Sequence, residues 1–334
     1  MSDQLAGRPA TMKAIVHRRY GPPEVLQLAD LPRPVPVDGE VLIRTRAVSV
    51  SSSDCSFRAA DPFFARFAAG LVRPRRPVLG VEVAGEVAAV GDGVDQFEPG
   101  DRVAAVSGVA MGGYAEFICL SAEGVSPIPD ALGFADAVAV IEGGLTALPF
   151  LRDHAKVSSG QRVLVNGASG AVGTAAVQLA KHFGAVVTGV CSTANVELVR
   201  SLGAEEVIDY TRADFTAQPA AYDVIFDAVG KSSFRLCRKA LRPGGSYLTT
   251  VPSLQAMLQV LWTRRFGSRR VVLAFTGLRS ASAKAADMAV LTALAEAGEL
   301  RSVIDQRWPL AQAADAHRYV DRGRKRGAVV LTVQ

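Results

Sequence analysis

Residues 162–185, RVLVNGASGAVGTAAVQLAKHFGA, decide the fold. The run opens on Val163-Leu164-Val165, an apolar triplet suited to a parallel strand buried on both faces. Asn166-Gly167-Ala168-Ser169-Gly170-Ala171-Val172-Gly173 follows as a turn of small residues. From Thr174 to Phe183, Ala176, Val177, Ala180 and Phe183 recur at helical spacing, and Gly184 stands where a C-cap glycine belongs. Strand, tight turn and helix in that order predict a dinucleotide fingerprint. Small side chains admit a pyrophosphate close to the backbone, and amides at the helix N-terminus meet its charge. Read as G-x-G-x-x-G, Ala168 replaces the first glycine, while Gly170 and Gly173 fill the other two places.

Outward from this unit, strands and helices alternate. The patterns predict strands at 185–190, 207–208, 223–226, 246–251 and 271–275, with helices around 195–202 and 233–241 between them. Together they predict a doubly wound parallel sheet. Before it, from Met12 to about Pro127, short Val-, Ile- and Ala-rich strands are punctuated by turns such as Gly91-Asp92-Gly93 and Pro99-Gly100-Asp101. That rhythm predicts a small barrel. Phe134 to Leu151 has a helical pattern and separates the two.

Composition bounds the rest. A chain of 334 residues, 49% hydrophobic and 21% charged with 31 glycines, is an ordinary globular α/β protein built as two domains. The net charge of +5 is mild, and no basic stripe interleaved with aromatics suggests nucleic acid. The opening MSDQLAGRPAT lacks a signal-peptide core and reads as a loose tail. No uninterrupted apolar run of membrane-spanning length stands out, so stable membrane insertion is not expected. The four cysteines, Cys55, Cys119, Cys191 and Cys237, are far apart with no C-x-x-C pair. That spacing suits a reducing cytoplasm.

Ten ordered motifs carry a resemblance: GPPEVLQL, VLGVEVAGEVAAVG, FEPGDRV, GGYAEF, GLTAL, the fingerprint run, LGAEEVIDY, FDAVG, LRPGGSYL and RGAVVLTV. The chain resembles the medium-chain dehydrogenase/reductase superfamily, in its zinc-free quinone oxidoreductase-like branch. The resemblance implies a GroES-like β-barrel catalytic domain from residues 1–127 and 280–334. A Rossmann domain, residues 128–279, would be inserted between them, with the active site in the cleft.

Zinc dehydrogenases of that superfamily hold catalytic metal by Cys, His and Cys. By resemblance those ligands would fall at Ser51, at Val81 and near Gly143-Gly144, so no zinc is expected. The histidines His17, His154, His182 and His317 are expected at the surface.

An NAD-specific Rossmann fold places an acid at the end of its second strand. Here Ser192 takes that place, followed by Thr193 and Asn195, with no Lys or Arg from Cys191 to Val199. Hydroxyls can donate to a 2′-phosphate that a carboxylate would repel, which favours NADP(H) over NAD(H). Ser192 and Thr193 also serve equally as N-caps of the next helix. Tyr210 resembles the family tyrosine beside the adenosine ribose, and Arg212 can supply charge. The expected cofactor-binding set is Thr146, Ala168, Ser169, Gly170, Ala171, Val172, Gly173, Ser192, Thr193, Asn195, Tyr210, Ala228, Val229, Thr250 and Val251.

Without metal, a substrate oxygen must be polarised by hydrogen bonds. Ser51, Asp54 and Arg58, in VSSSDCSFR, are the candidate catalytic residues, with Asp54 equally suited to tying this loop in place. Cys55 reads either as a reactive thiol or as a half-buried small residue. In residues 253–270, Leu254, Met257, Leu258, Leu261 and Trp262 share one helical face, with Ser253 as cap and Gly267 as end. That face suits a lid over a large apolar substrate, packing on a domain or dimer partner, or contact with a membrane surface. An apolar sixth strand at a sheet edge predicts a homodimer. The leading reading is NADPH-dependent, zinc-independent reduction of a quinone or an α,β-unsaturated carbonyl. The alternatives are alcohol/ketone oxidoreduction, and an NADPH-binding sensor or structural dimer with little turnover.

Overall fold

The computed structural model describes residues 10–61, 66 and 70–334, and the expected N-terminal tail over residues 1–9 lies outside them. Six parallel strands form one sheet in the spatial order Glu206–Asp209, Val186–Cys191, Arg162–Asn166, Tyr222–Asp227, Leu241–Thr249 and Arg270–Leu273. Numbered along the chain this is 3-2-1-4-5-6, and the order reverses beside Arg162–Asn166, where an open α/β sheet collects its ligands. Val163, Val165, Val187, Val224, Phe226 and Leu248 lie in its core, under helices Ala171–His182 and Val196–Ser201.

A second sheet is mostly antiparallel. Glu40–Ser49 pairs with Glu82–Val90, with Phe117–Ser121 and with Ala328–Thr332, a strand from the far end of the chain. Ala328–Thr332 pairs in turn with Ile304–Pro309, so the chain leaves this barrel, builds the parallel sheet and returns. A hairpin of Thr11–His17 and Leu26–Pro32 lies beside it. Inward-facing Ile15, Ile43, Val83, Val103, Tyr114 and Leu331 fill the barrel core.

Helix Phe134–Pro149 joins the two halves. Its Val138 and Ile141 pack on Ala47, Ala84 and Ala104 of the barrel, where small side chains let the helix approach the sheet. Its Ala147 and Leu148 belong to the core of the parallel sheet. With its π-helical extension to Ala155 this element is long and apolar enough to cross a membrane, yet here its most apolar stretch is 67% buried as the bridge between domains.

Three boundaries differ from those expected. The helix after the fourth parallel strand is only Phe234–Cys237, because the chain enters the fifth strand already at Leu241. That strand ends at Thr249, which leaves Thr250 and Val251 in the loop at its C-terminal end. The sixth strand is Arg270–Leu273 rather than 271–275.

Candidate active site

The fingerprint turn is built on Gly167 as much as on Ala168. Gly167 has φ +80, a left-handed conformation that glycine adopts without strain. Its N–H and that of Ala168 both donate to the Val190 carbonyl, at 3.1 and 3.0 Å, tying the turn to the second strand. The tight-turn glycine has therefore moved one residue upstream of the position read from the pattern. A Cβ added to Gly173 would lie 2.0 Å from the Gly167 carbonyl oxygen, so Gly173 sets the close contact of helix and strand. Gly170 caps helix Ala171–His182, and the nearest atom an added Cβ would meet is 3.7 Å away. No protein neighbour requires a glycine there. The open space beside Gly170, at a helix N-terminus rich in free amides, fits a dinucleotide pyrophosphate.

The C-terminal end of the second parallel strand carries a hydroxyl-lined rim. Asn195 Nδ2 donates to Ser169 Oγ at 3.0 Å and to Ser192 Oγ at 3.3 Å, joining fingerprint and second strand. Thr193 Oγ1 donates to Asp209 Oδ2 at 2.5 Å, and Arg212 lies 3.5 Å from the same oxygen. Tyr210 is exposed and its N–H donates to the Cys191 carbonyl, which places it on this rim. Ser192 stands at the N-cap position of the turn Thr193–Asn195 without a side-chain capping bond to it.

At the opposite end, buried Asp227 organises the loop after the fourth strand. Its carboxylate accepts from Asn166 Nδ2, Tyr247 Oη and the N–H groups of Gly230 and Ser232, all at 2.8–3.0 Å. That fixes Ala228 and Val229, with Thr250 Oγ1 donating to the Ala228 carbonyl at 3.4 Å. Val229 sits over Gly167 and Val251 over Gly230, close enough that a Cβ on either glycine would collide. Thr146 lies one helical turn beyond Glu142 on the bridging helix, on the same face.

On the barrel side, the segment expected as a loop is helix Ser52–Ala59. Ser51 is its N-cap and Asp54 the third helical residue, in a reciprocal capping box. Ser51 Oγ donates to Asp54 Oδ2 at 2.6 Å, and Gly80 N–H donates to Asp54 Oδ1 at 3.1 Å. Asp54 thus has the structural role weighed for it. Arg58 is corrected outright, since it is buried away from the cleft. It donates to the Gly21 carbonyl at 3.1 Å, to His317 Nδ1 at 3.2 Å and to Asp321 Oδ2 at 3.0 Å. His317, expected at the surface, is fully buried and donates from Nε2 to Tyr114 Oη at 3.0 Å; His17 is buried as well. Cys55 packs 3.4 Å from His317 Nδ1, and burial pushes its thiol far up, the opposite of a reactive thiolate.

A second polar cluster sits between the domains, unforeseen from sequence. Lys325 Nζ donates to Glu142 Oε1 at 2.5 Å and to the Val50 carbonyl at 3.3 Å. Their side chains are 11% and 6% exposed, and Glu142 Oε2 is buried with no partner. Ser49 Oγ donates to Glu82 Oε2 at 2.5 Å. Burial, then the nearby Asp54 and Glu142 charges, pushes Glu82 up to about 8, while burial raises Glu142 against the pull of Lys325.

The donor set does not fit zinc. Ser51 Oγ is committed to Asp54, Val81 has no donor atom, and a Cβ at Gly143 would lie 2.1 Å from the Ala171 carbonyl oxygen. Among the described residues no group of three or more His, Cys, Asp or Glu side chains is placed to hold a metal.

Comparison with known proteins identifies the family. Residues 37–130 match the alcohol dehydrogenase GroES-like domain family, and residues 202–331 match the zinc-binding dehydrogenase family. The chain is 34% identical to a quinone oxidoreductase of Pseudomonas aeruginosa over 96% of its own length and 99% of the relative. It is 33% identical to a mitochondrial NAD(P)H oxidoreductase of Mus musculus, covering 98% of this chain and 91% of the other. The solved quinone oxidoreductase of Coxiella burnetii superposes with a TM-score of 0.87 at 29% identity, over 97% of this chain and all of that one.

Proposed function

The chain belongs to the quinone oxidoreductase-like branch of the medium-chain dehydrogenase/reductase superfamily and is an NAD(P)H-dependent oxidoreductase, and on that premise we propose that it reduces quinones or α,β-unsaturated carbonyls with NADPH and without a metal ion. The observation that carries the reading is the pairing of an open Gly170 cradle with a cleft whose zinc positions bear no usable donor. The nicotinamide supplies hydride when bound. Fingerprint residues 168–173 would hold the pyrophosphate, Thr146, Ala228, Val229, Thr250 and Val251 would line the nicotinamide end, and Tyr210 would cover the adenosine ribose.

Preference for NADPH rests on the rim of Ser192, Thr193 and Asn195, hydroxyl and amide groups standing where an NAD enzyme has its acid. Arg212 supplies a cation on the same rim. The exposed apolar helix Leu254–Phe266, beside the edge strand Arg270–Leu273, supports a homodimer.

The test is a panel of quinones, enones and aldehydes with NADPH and NADH, with and without chelator. Chelator-resistant NADPH oxidation by quinones or enones is expected. Turnover only of alcohols or aldehydes, or activity abolished by chelator and restored by zinc, would overturn the reading. Quenching of NADPH fluorescence with no oxidation by any acceptor would favour the sensor alternative.

A further inference from the structure

We propose that the Lys325 ammonium, held by Glu142 at the domain boundary, binds the substrate oxygen, standing in for the metal of the zinc dehydrogenases. The proposal rests on the reductase reading and names its oxygen-binding group.

Three positions would carry the zinc ligands: Ser51, Val81 and one near Gly143-Gly144. Lys325 Nζ donates to the carbonyl of Val50, next to the first, and to the carboxylate of Glu142, next to the third. Glu82, next to the second, lies near enough to Asp54 and Glu142 to feel both charges, and the charge of Lys325 reaches Asp54 and Glu142. One cation therefore touches the neighbours of the first and third positions, and its charge reaches Asp54 and Glu142, the two acids that act on the neighbour of the second. An ammonium at this place favours the negative charge that a reduction creates on a bound carbonyl oxygen.

Both partners are anchored on the cofactor loop. Gly327, two residues after Lys325, donates its N–H to the Ser169 carbonyl at 2.8 Å. Gly143, beside Glu142, abuts the backbone of Ala171, the first residue of the fingerprint helix. An ammonium has three donors, and two are engaged. The third is available to a ligand. Glu142 Oε2 points to the same conclusion, since a carboxylate oxygen this buried is ordinarily satisfied and here has no partner. A ligand with a carbonyl or oxyanion for Lys325 and a hydroxyl for Glu142 fits both.

As the substrate takes up hydride, negative charge collects on its oxygen. The Lys325 ammonium stabilises that charge, and water supplies the proton that completes the product. Lys325 passes on no proton in this step, so its role is electrostatic.

The experiment uses 4-nitrophenol, an aromatic oxyanion whose absorbance reports its own ionisation, bound to the full-length protein in the presence of NADP+. On the wild type, bound nitrophenol should ionise at lower pH than free nitrophenol. Lys325→Met should abolish that shift, Lys325→Arg should keep part of it, and Glu142→Gln, which removes the opposing charge, should deepen it. Lys325→Met should also lower kcat with a quinone about 100-fold, the cost of losing one oxyanion donor, with little change in the NADPH dissociation constant. If Lys325→Met fails to fold, the sign of the Glu142→Gln shift decides alone. The proposal is overturned if wild-type protein does not bind nitrophenolate, if its shift survives in Lys325→Met, or if Glu142→Gln leaves it unchanged. A wild type that turns over no quinone or enone defeats the reductase reading instead, and the nitrophenol titration still judges Lys325.

Discussion

Arg58 donates from its guanidinium to Nδ1 of His317 at 3.2 Å, so the buried imidazole is neutral and carries its proton on Nε2, toward Tyr114. Burial, with the Arg58 charge second, lowers His317 to about 3. The unfolded chain binds a proton there near pH 6.5 and the folded one does not, so this contribution is complete above pH 6.5 and is lost as pH falls toward 3. Between those limits one such group gives a slope of about 1.4 kcal/mol per pH unit. Raised Glu82 contributes a slope of the opposite sign, so denaturant unfolding of wild type and His317→Gln from pH 7 to 4 should differ by the His317 slope, the variant losing it. An unchanged slope in the variant would place the titration elsewhere. Arg58→Met should cost on the order of 2–3 kcal/mol, less than a fully buried pair because Asp321 reaches water. It should leave NADPH affinity unaltered, as befits a residue turned away from the cleft.

The fingerprint glycines should separate binding from stability. Gly170→Ala adds a methyl to open space at an ordinary φ of −81 and should change stability by less than about 0.5 kcal/mol. Because that space is where the pyrophosphate would lie, NADPH should bind at least tenfold more weakly, about 1.4 kcal/mol. Gly173→Ala forces a methyl against the Gly167 carbonyl and should cost about 1–3 kcal/mol of folding free energy. Thermal unfolding and fluorescence titration of both variants check the contrast. Equal NADPH affinity in Gly170→Ala and wild type would move the pyrophosphate elsewhere.

Ser192→Asp tests the basis of the NADPH preference. The Asn195 bridge holds Ser192 to the fingerprint serine, so a carboxylate there would face the ribose 2′ position. Repulsion should weaken NADPH by about 10- to 100-fold, as for loss of one charge-assisted contact of 1.4–2.8 kcal/mol. NADH should bind as well as before or better, since Asp can accept from a 2′-hydroxyl. Parallel titrations with the two nucleotides measure the ratio. A uniform loss for both would show that Ser192 serves only the turn.

How far the sequence could be read follows from the kind of signal each residue carries. The parallel sheet was legible because a buried strand, a small-residue turn and a periodic helix each leave a local pattern, repeated along 162–273. Helix Ser52–Ala59 was also written locally, in the capping box of Ser51 and Asp54, but the run of serines reads as a loop unless that spacing is sought. His317 had a signal too. It lies between Ala313, Ala316 and Val320 on the buried face of helix Ala313–Asp321. Glu142 had only a weak signal, as an acid past the first turn of an apolar helix whose other acid, Asp136, lies in that first turn. Lys325 had no signal at all, because RGRKRG is indistinguishable from a solvated charge run until Ala328–Thr332 returns to pair with Glu40–Ser49 and carries it to the domain boundary.

Helix Leu254–Phe266 carries the last prediction. It starts at Ser253, whose hydroxyl accepts from Ala256 N–H, and only Ala256 and Thr263 are buried. Leu254, Leu258, Leu261, Trp262 and Phe266 remain exposed, so the apolar face read from the sequence is largely open in this chain. Arg270–Leu273 beside it is the last strand of its sheet, and its Val271 N–H donates to Thr263 Oγ1 of the helix at 3.1 Å. A face and an edge of this kind are covered together when a second copy docks about a twofold axis. Introducing charge there, as Leu261→Glu with Trp262→Lys, changes side chains that are half exposed or more and should alter unfolding by no more than about 1 kcal/mol. Sedimentation should then fall from a dimer to the 35.1 kDa single chain. A wild type that already sediments as a single chain would instead leave the helix free over the cleft. In that case the same variant should raise KM for long-chain quinones more than for benzoquinone.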